Sequence, residues 1–418
     1  MPPDEGSLRE RLATLTLEQK ARLLTGADFW ALHAEPHVGL RRVVTSDGPA
    51  GVRGERWDER EPSANVPSPT ALAATWDEAR IERIGRLLAA EARRKGVDVL
   101  LAPTVNLHRT PYGGRHFECL SEDPLLTARI GAAYVRGVQA GGVAATVKHF
   151  VANDSETERF TLDARVGDRA LRELYLAPFD AIVGDARPWA VMAAYNGVNG
   201  TTMTESPLLR DVLKEEWGFD GVVMSDWYAA RSTVAVGRGG LDLAMPGPTG
   251  PWDEALADAV RAGDVAEAAV DDKVLRILRL AARVGALEGA GDEEAPERAA
   301  TWSDREIDAE LRASASASFV LARNDGLLPL DASGLRSVAV IGPNAAVART
   351  LGGGSATVFP AHTVSPLAGL RAALGDGVRV EHAAGVRSHT RLPPAALELM
   401  PDGIDVRFLA ADGDVVGS

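Results

Sequence analysis

The feature that most constrains this fold is an alternation of short apolar runs and helical stretches, sustained up to about residue 285. Arg42-Val43-Val44 leads into Ser46-Asp47-Gly48-Pro49, a strand ending in a turn. Residues 77–95 read as a helix with Ile81, Ile84, Leu87 and Leu88 on one face and Gly96 just past its end. Residues 97–102 form an apolar strand. Asp123-Pro124 opens a helix that Gly141-Gly142 closes. Strands follow at 143–147, 190–194, 221–224 and 241–245, with helices at 168–185 and after Ser206-Pro207. A repeated βα unit predicts a parallel sheet with helices outside it, an α/β fold of the TIM-type (β/α) barrel spanning 1–285.

The unusual residues cluster where these strands stop. Asp47, Lys148, His149, Tyr195 and Asp226 all stand at or just after strand ends, the rim where a barrel collects its chemistry. Gly221-Val222-Val223-Met224-Ser225-Asp226-Trp227 is the sharpest case: four residues suited to a buried strand run into Ser, Asp and Trp. An Asp beside an indole suits attack on a sugar, with the carboxylate as nucleophile and the ring as platform. Read alone, the same Asp caps a following helix, Lys148 is a solvated charge and His149 a satisfied core histidine. Lys148, Arg115 and Arg159 are the cations that would keep Asp226 ionised if they share its rim.

Past residue 285 the texture changes. Residues 286–303 are rich in Gly, Glu, Asp and Ala and read as a linker. A second α/β unit is expected over 304–393, with a helix at 304–322 and a strand at 337–341. Gly352-Gly353-Gly354-Ser355 lacks both nucleotide-binding fingerprints and reads as a flexible loop. From 394 to 418 the pattern alternates, with 404–408 reading as an exposed strand. So few elements cannot close a second sheet, so a truncated domain is expected.

The balance of 45 basic and 59 acidic residues, net −14, argues against nucleic acid or an anionic membrane as partner and suits a neutral sugar. Cys119 is the single cysteine, so no intramolecular disulfide is possible. The first twenty residues lack the apolar core of a signal peptide and no apolar run reaches 18 residues, so the cytoplasm is the default location. There is no Cys/His cluster suited to a metal, and no cofactor is expected.

Six motifs in this order carry a resemblance to glycoside hydrolase family 3. They are Ser46-Asp47-Gly48-Pro49-Ala50-Gly51-Val52-Arg53, the run from Gly113-Gly114-Arg115-His116-Phe117-Glu118 to Asp123-Pro124, Lys148-His149-Phe150-Val151-Ala152-Asn153, Ala194-Tyr195-Asn196-Gly197, Ser225-Asp226-Trp227, and Gly240-Leu241-Asp242-Leu243-Ala244-Met245-Pro246-Gly247. Gly342-Pro343-Asn344 and Gly353-Gly354-Ser355 resemble the opening of that family's α/β sandwich domain, and the tail from about residue 397 resembles the start of a protective-antigen-type β-sandwich insert.

The resemblance implies the N-terminal portion of a retaining β-glucosidase acting on a β-glucoside or oligosaccharide. Asp226 would be the nucleophile and Trp227 a wall of the sugar site. Asp47 would bind the far hydroxyls and Arg53 would hold the loop or the sugar. Arg115, Lys148, His149 and Arg159 would contact the remaining hydroxyls, Tyr195 would hydrogen-bond near Asp226, and Ser355 would reach in from the second domain. His116 stands where the family commonly has Asn, and Asn153-Asp154-Ser155-Glu156 varies the usual run. The family's acid/base usually lies beyond the point where this chain ends. Glu118, Glu122 and Glu156 are given supporting roles. A β-xylosidase differs only in whether the pocket leaves room for the exocyclic CH₂OH. A Schiff-base aldolase on Lys148 would leave Asp226-Trp227 idle, and a sugar-binding protein without turnover is the non-enzymatic reading. Oligomeric state has no signature in the sequence.

Overall fold

The computed structural model describes residues 4–290, 301–386, 407–409 and 415–417. Their packing gives two compact units, Met1–Asp325 with Thr350–Thr363, and Gly326–Arg349 with Val364–Ser418.

The first unit is built on a six-stranded sheet, in the order Ala31–Leu32, Val43–Asp47, Val99–Leu101, Ala144–Phe150, Ala190–Ala193, Val222–Ser225. The first pair is antiparallel and every later pair parallel. From Val43–Asp47 onward the strands are buried throughout, as their unbroken apolar runs require when helices cover one face and side chains fill the other. Beyond the last strand the pairing continues through single bridges, Met224 with Leu243, Ala244 with Thr25, and Gly26 with Leu32.

The helices Glu78–Arg94 and Pro124–Ala140 start as their sequences predict. Asp77 and Asp123 accept hydrogen bonds from first-turn N–H groups. Ile81, Ile84, Leu87 and Leu88 are completely buried. The two helices approach so closely at Gly85 that a Cβ there would lie 2.8 Å from the Cα of Gly137, so larger residues would force them apart. The expected helix at 168–185 is interrupted: Leu176 N–H reaches back five residues to Leu171 C=O, a wide turn just ahead of Pro178, whose ring and missing N–H do not fit a regular turn. The helix expected over 304–322 spans Asp304–Ala317 instead. Ser318 Oγ bonds the Ala315 carbonyl, and β-branched Val320 follows an exposed Phe319.

The strand expected at 241–245 is reduced to the two bridges of Leu243 and Ala244. Its N–H groups are taken partly by these bridges and partly by a side chain. Asp242 and Leu243 both donate to Val223 C=O, and Met245 donates to Ser225 Oγ. The loop expected at 352–355 runs into a single turn, Gly354–Ala356, of the first unit, with Ala356 and Val358 buried.

In the second unit Ser337–Ile341, as expected from sequence, pairs parallel with Arg379–Ala383. The helices Pro343–Ala346 and Pro366–Leu374 belong to the same unit. Phe408–Leu409 pairs antiparallel with Val415–Gly417. Most of the linker expected at 286–303 and of the insert expected at 394–418, including 404–406, lies outside the described residues. Among the described residues no helix is long and apolar enough to cross a membrane.

Candidate active site

A cavity of about 940 Å³ opens at the C-terminal ends of the parallel strands of the first unit. Its walls hold every residue given a nucleophilic or sugar-binding role from the sequence: Asp47, Arg53, Arg115, Lys148, His149, Arg159, Tyr195, Asp226, Trp227 and Ser355.

Lys148 and His149 are consecutive in one strand, yet both face the cavity. A regular strand would send them to opposite sides. The register against Ala190–Ala193 shifts between Lys148 and Phe150, and such an irregularity re-aims side chains at functional sites. Lys148 Nζ lies 3.2 Å from Asp47 Oδ1, and both residues are buried. Burial opposes ionisation of Asp47, but the Lys148 and Arg53 charges, with a hydrogen bond from Lys148, outweigh it and hold the carboxyl below its ordinary value. Arg53 stacks 3.9 Å above the Trp30 ring and donates to Ser355 C=O at 3.2 Å.

The protonation of His149 follows from its neighbours. Asn106 Oδ1 accepts the His149 backbone N–H at 2.9 Å and lies 3.1 Å from Nδ1, while Asn106 Nδ2 donates to His149 C=O. Nδ1 therefore carries the proton, and Nε2 is left to accept from Arg115 at 3.2 Å. Burial and then the Arg115, Lys148 and Arg159 charges push this imidazole well below its usual value. The ring is neutral, so its 3.7 Å approach to Asp226 is no ion pair.

Asp226 Oδ1 accepts the Trp227 N–H at 2.8 Å. The next helix begins only at Val234, so this carboxylate is not a helix cap. Oδ2 is buried and has no hydrogen-bond partner among the described residues; Arg159 Nη2 lies 3.9 Å away. Burial pushes the Asp226 carboxyl above the ordinary value, and the Arg115 and Lys148 charges, the Trp227 N–H and Arg159 offset this only in part. Each of those cations also holds another carboxylate. Arg115 is bonded to Glu118 at 2.5 Å and Arg159 to Glu156 at 3.1 Å. Burial and the Asp226 carboxylate, through its charge and a hydrogen bond from the phenol, raise the Tyr195 hydroxyl, whose ring lies under Arg159 at 4.4 Å.

The sequence motifs do not single out Asn106 or Trp30, though one sets the His149 tautomer and the other carries Arg53. Phe29, Trp57, Phe160 and Tyr228, all more than 40% exposed, line the cavity and were likewise not singled out. His116 is not in the cavity wall; its ring bonds Thr110 C=O. Among the described residues no cluster of His, Cys, Asp and Glu is arranged to hold a metal ion.

Residues 30–280 match the glycosyl hydrolase family 3 N terminal domain and residues 319–411 the glycosyl hydrolase family 3 C-terminal domain. The chain belongs to glycosyl hydrolase family 3. It is 49% identical over 381 residues to a beta-glucosidase of Rhizobium radiobacter, covering 90% of this chain and 46% of that protein. Beta-glucosidase B of Emericella nidulans is 44% identical over 408 residues, 96% of this chain and 47% of its own length. Among solved structures, beta-glucosidase from Kluyveromyces marxianus in complex with glucose superimposes with a TM-score of 0.84 at 37% identity, covering 92% of this chain and 46% of that one. Beta-glucosidase 3B from Thermotoga neapolitana in complex with glucose gives 0.82 at 34% identity, with 90% and 55% coverage. The chain thus spans about half the length of the relatives it matches.

Proposed function

We propose that this chain carries the sugar-binding and nucleophilic half of a retaining β-glucosidase, with Asp226 as the nucleophile. The observation that carries this reading is the buried Asp226 Oδ2, without a hydrogen-bond partner among the described residues, in a cavity large enough for a sugar. The likeness to glucose-bound family members supports glucose as the bound sugar. In this reading Asp47, Lys148, Arg115, His149 and Arg159 hold the ring hydroxyls and Trp227 forms a wall beside the anomeric carbon. Asp226 attacks that carbon, the aglycone leaves with its electron pair, and water later hydrolyses the glycosyl ester with overall retention. The carboxyl group that protonates the leaving group stands roughly 5–5.5 Å from the nucleophile in such enzymes, and no residue of this chain is assigned to that task. The three bridges that lead the sheet from Met224 back to Leu32 support a closed (β/α) barrel, followed by an α/β sandwich domain.

The test is inactivation of the 418-residue chain by 2,4-dinitrophenyl 2-deoxy-2-fluoro-β-D-glucoside, whose leaving group departs without a proton. One adduct per chain, mapped to the peptide holding Asp226 and absent from Asp226→Ala, is the expected result. An adduct on another carboxylate overturns the assignment.

A further inference from the structure

Three charged side chains are buried outside the wall of the sugar cavity: Lys273 at 3% exposure, Asp242 at 0% and Lys214 with 8% of its side chain exposed. Lys273 comes from the helix Glu267–Arg283, and its Nζ donates to the carbonyls of Gly239 at 2.8 Å and Leu241 at 2.7 Å. Lys214 bonds Asp242 Oδ1 at 2.5 Å, and Asp242 Oδ2 accepts the Val223 N–H at 2.8 Å. The segment held in this way is the one from which the Asp226 turn hangs. Ser225 N–H donates to Leu243 C=O at 2.9 Å, Ser225 Oγ bonds both the N–H and C=O of Met245, and Tyr228 N–H donates to Met245 C=O at 2.9 Å. Tyr228 sits at φ 66°, a left-handed conformation unusual for a bulky residue that persists only where surrounding bonds enforce it.

We propose that Lys273, with Lys214 and Asp242, is a positioning group for the nucleophile: a buried cationic clamp that fixes residues 239–245 and through them the Ser225–Tyr228 turn. This rests on the reading of Asp226 as the nucleophile. The charge matters because hydrogen bonds from an ammonium are about twice as strong as those from a neutral amine. The charged groups facing Lys273 are Asp242 and Lys214 from neighbouring elements and Asp272 and Arg276 on its own helix, with the Trp252 ring 6.0 Å away. Burial outweighs the two carboxylates and brings the Lys273 ammonium down to about 8, so the clamp loses its charge in mildly alkaline solution.

The experiment compares wild type, Lys273→Met and Lys273→Arg, using the dinitrophenyl fluoroglucoside and backbone hydrogen exchange. Lys273→Met should lower the limiting inactivation rate about tenfold, the scale of a small displacement of a reacting group, with the inactivator's half-saturation concentration unchanged. The wild-type rate should fall between pH 7 and 9. That fall should vanish in Lys273→Met and move to higher pH in Lys273→Arg, which should keep most of the rate. Exchange at the Met245 and Tyr228 amides should speed up in Lys273→Met alone. A wild-type adduct on Asp226 with equal rates in all three proteins overturns the clamp and leaves the nucleophile assignment standing. A wild-type adduct elsewhere overturns that assignment, and the exchange data still decide the clamp: unchanged protection at Met245 and Tyr228 refutes it. A change confined to half-saturation, showing a loosened sugar site, also refutes it.

Discussion

Asp154 should be a pH-dependent weak point beside the candidate active site, and its replacement by Asn should stabilise the protein at neutral pH. Its Oδ1 accepts the Leu107 N–H at 2.9 Å, joining the loop that carries Asn106 to the one that carries Glu156 and Arg159. Burial lifts its pKa from 3.8 to about 6, against the opposing Leu107 hydrogen bond and the Arg109 and His116 charges. The folded-state pKa lies above the unfolded one, so the folded protein holds this proton longer. Stability from this group is therefore fully present below about pH 4 and is lost as pH rises to about 6. A shift of about two units at about 1.4 kcal/mol each amounts to about 3 kcal/mol lost at pH 7.5.

Asn keeps an oxygen for the Leu107 N–H and carries no charge to desolvate. The assay is urea unfolding at several pH values from 4 to 7.5, followed by tryptophan fluorescence, because all eight tryptophans lie in the first unit. The difference between Asp154→Asn and wild type should be near zero at pH 4 and rise to about 3 kcal/mol at pH 7.5, with its midpoint near pH 5. Taking the difference cancels His149, whose neutral buried ring gives the opposite trend: its folded pKa is depressed, so stability falls as pH drops through the usual histidine range. A flat difference, or a variant less stable than wild type at pH 7.5, would refute the reasoning.

Two further outcomes follow from the cavity wall. A Cβ at Gly352 would fall on the Phe117 ring, so Gly352→Ala should displace the turn that brings Ser355 to Asp47 and weaken glucose binding by calorimetry about tenfold, the worth of one hydrogen bond; Phe117→Leu should restore part of the loss, and unchanged binding would show that the turn does not seat the sugar. Asp47→Asn should cost more affinity for glucose than for xylose, which lacks one of the far hydroxyls, by about 1.5 kcal/mol or more for a charge-assisted bond; equal losses would remove Asp47 from that role.

The parts of this site that were legible in the sequence are those where strand ends and chemistry coincide. Asp226-Trp227 and Lys148-His149 end unbroken apolar runs, so their place at the strand ends follows from strand burial and parallel topology, but that both Lys148 and His149 face the cavity depends on the register shift between Lys148 and Phe150, which the sequence does not announce. Asn106 was not legible because it is one amide in Val105-Asn106-Leu107, and its importance arises only when folding brings His149, 43 residues away, onto both ends of that amide. Trp30 is similar, since its role depends on the Arg53 guanidinium lying 3.9 Å above its ring. In the run Gly352-Gly353-Gly354 a missing Cβ serves two ends, positive φ in open space at Gly353 and Gly354 and close approach to the Phe117 ring at Gly352; the sequence does not distinguish them. The 241–245 strand is shorter than its apolar pattern predicts: Leu243 and Ala244 keep ladder bonds to Val223 C=O and Leu24 C=O, but Asp242 shares the Val223 carbonyl and Ser225 Oγ takes the Met245 N–H.

The charge arrangement explains why a carboxylate among cations is not simply stabilised as an anion. Lys148 is paired with Asp47, Arg115 with Glu118, and Arg159 with Glu156, each at 2.5 to 3.2 Å. Arg159 and the neutral His149 approach Asp226 only to 3.9 and 3.7 Å. The cationic field at Asp226 is thus partly neutralised before it arrives, and desolvation wins, which is why its pKa moves up and not down. An anion held this way, with one oxygen lacking a hydrogen bond among the described residues, would have little ground-state stabilisation to surrender in the proposed attack on carbon. In the proposed mechanism the ester it forms carries no charge, so glycosylation removes the buried charge that the folded site stabilises least. The pairing of Arg115 and Arg159 with Glu118 and Glu156 therefore does more than satisfy those arginines: in the proposed mechanism it leaves Asp226 weakly stabilised as an anion.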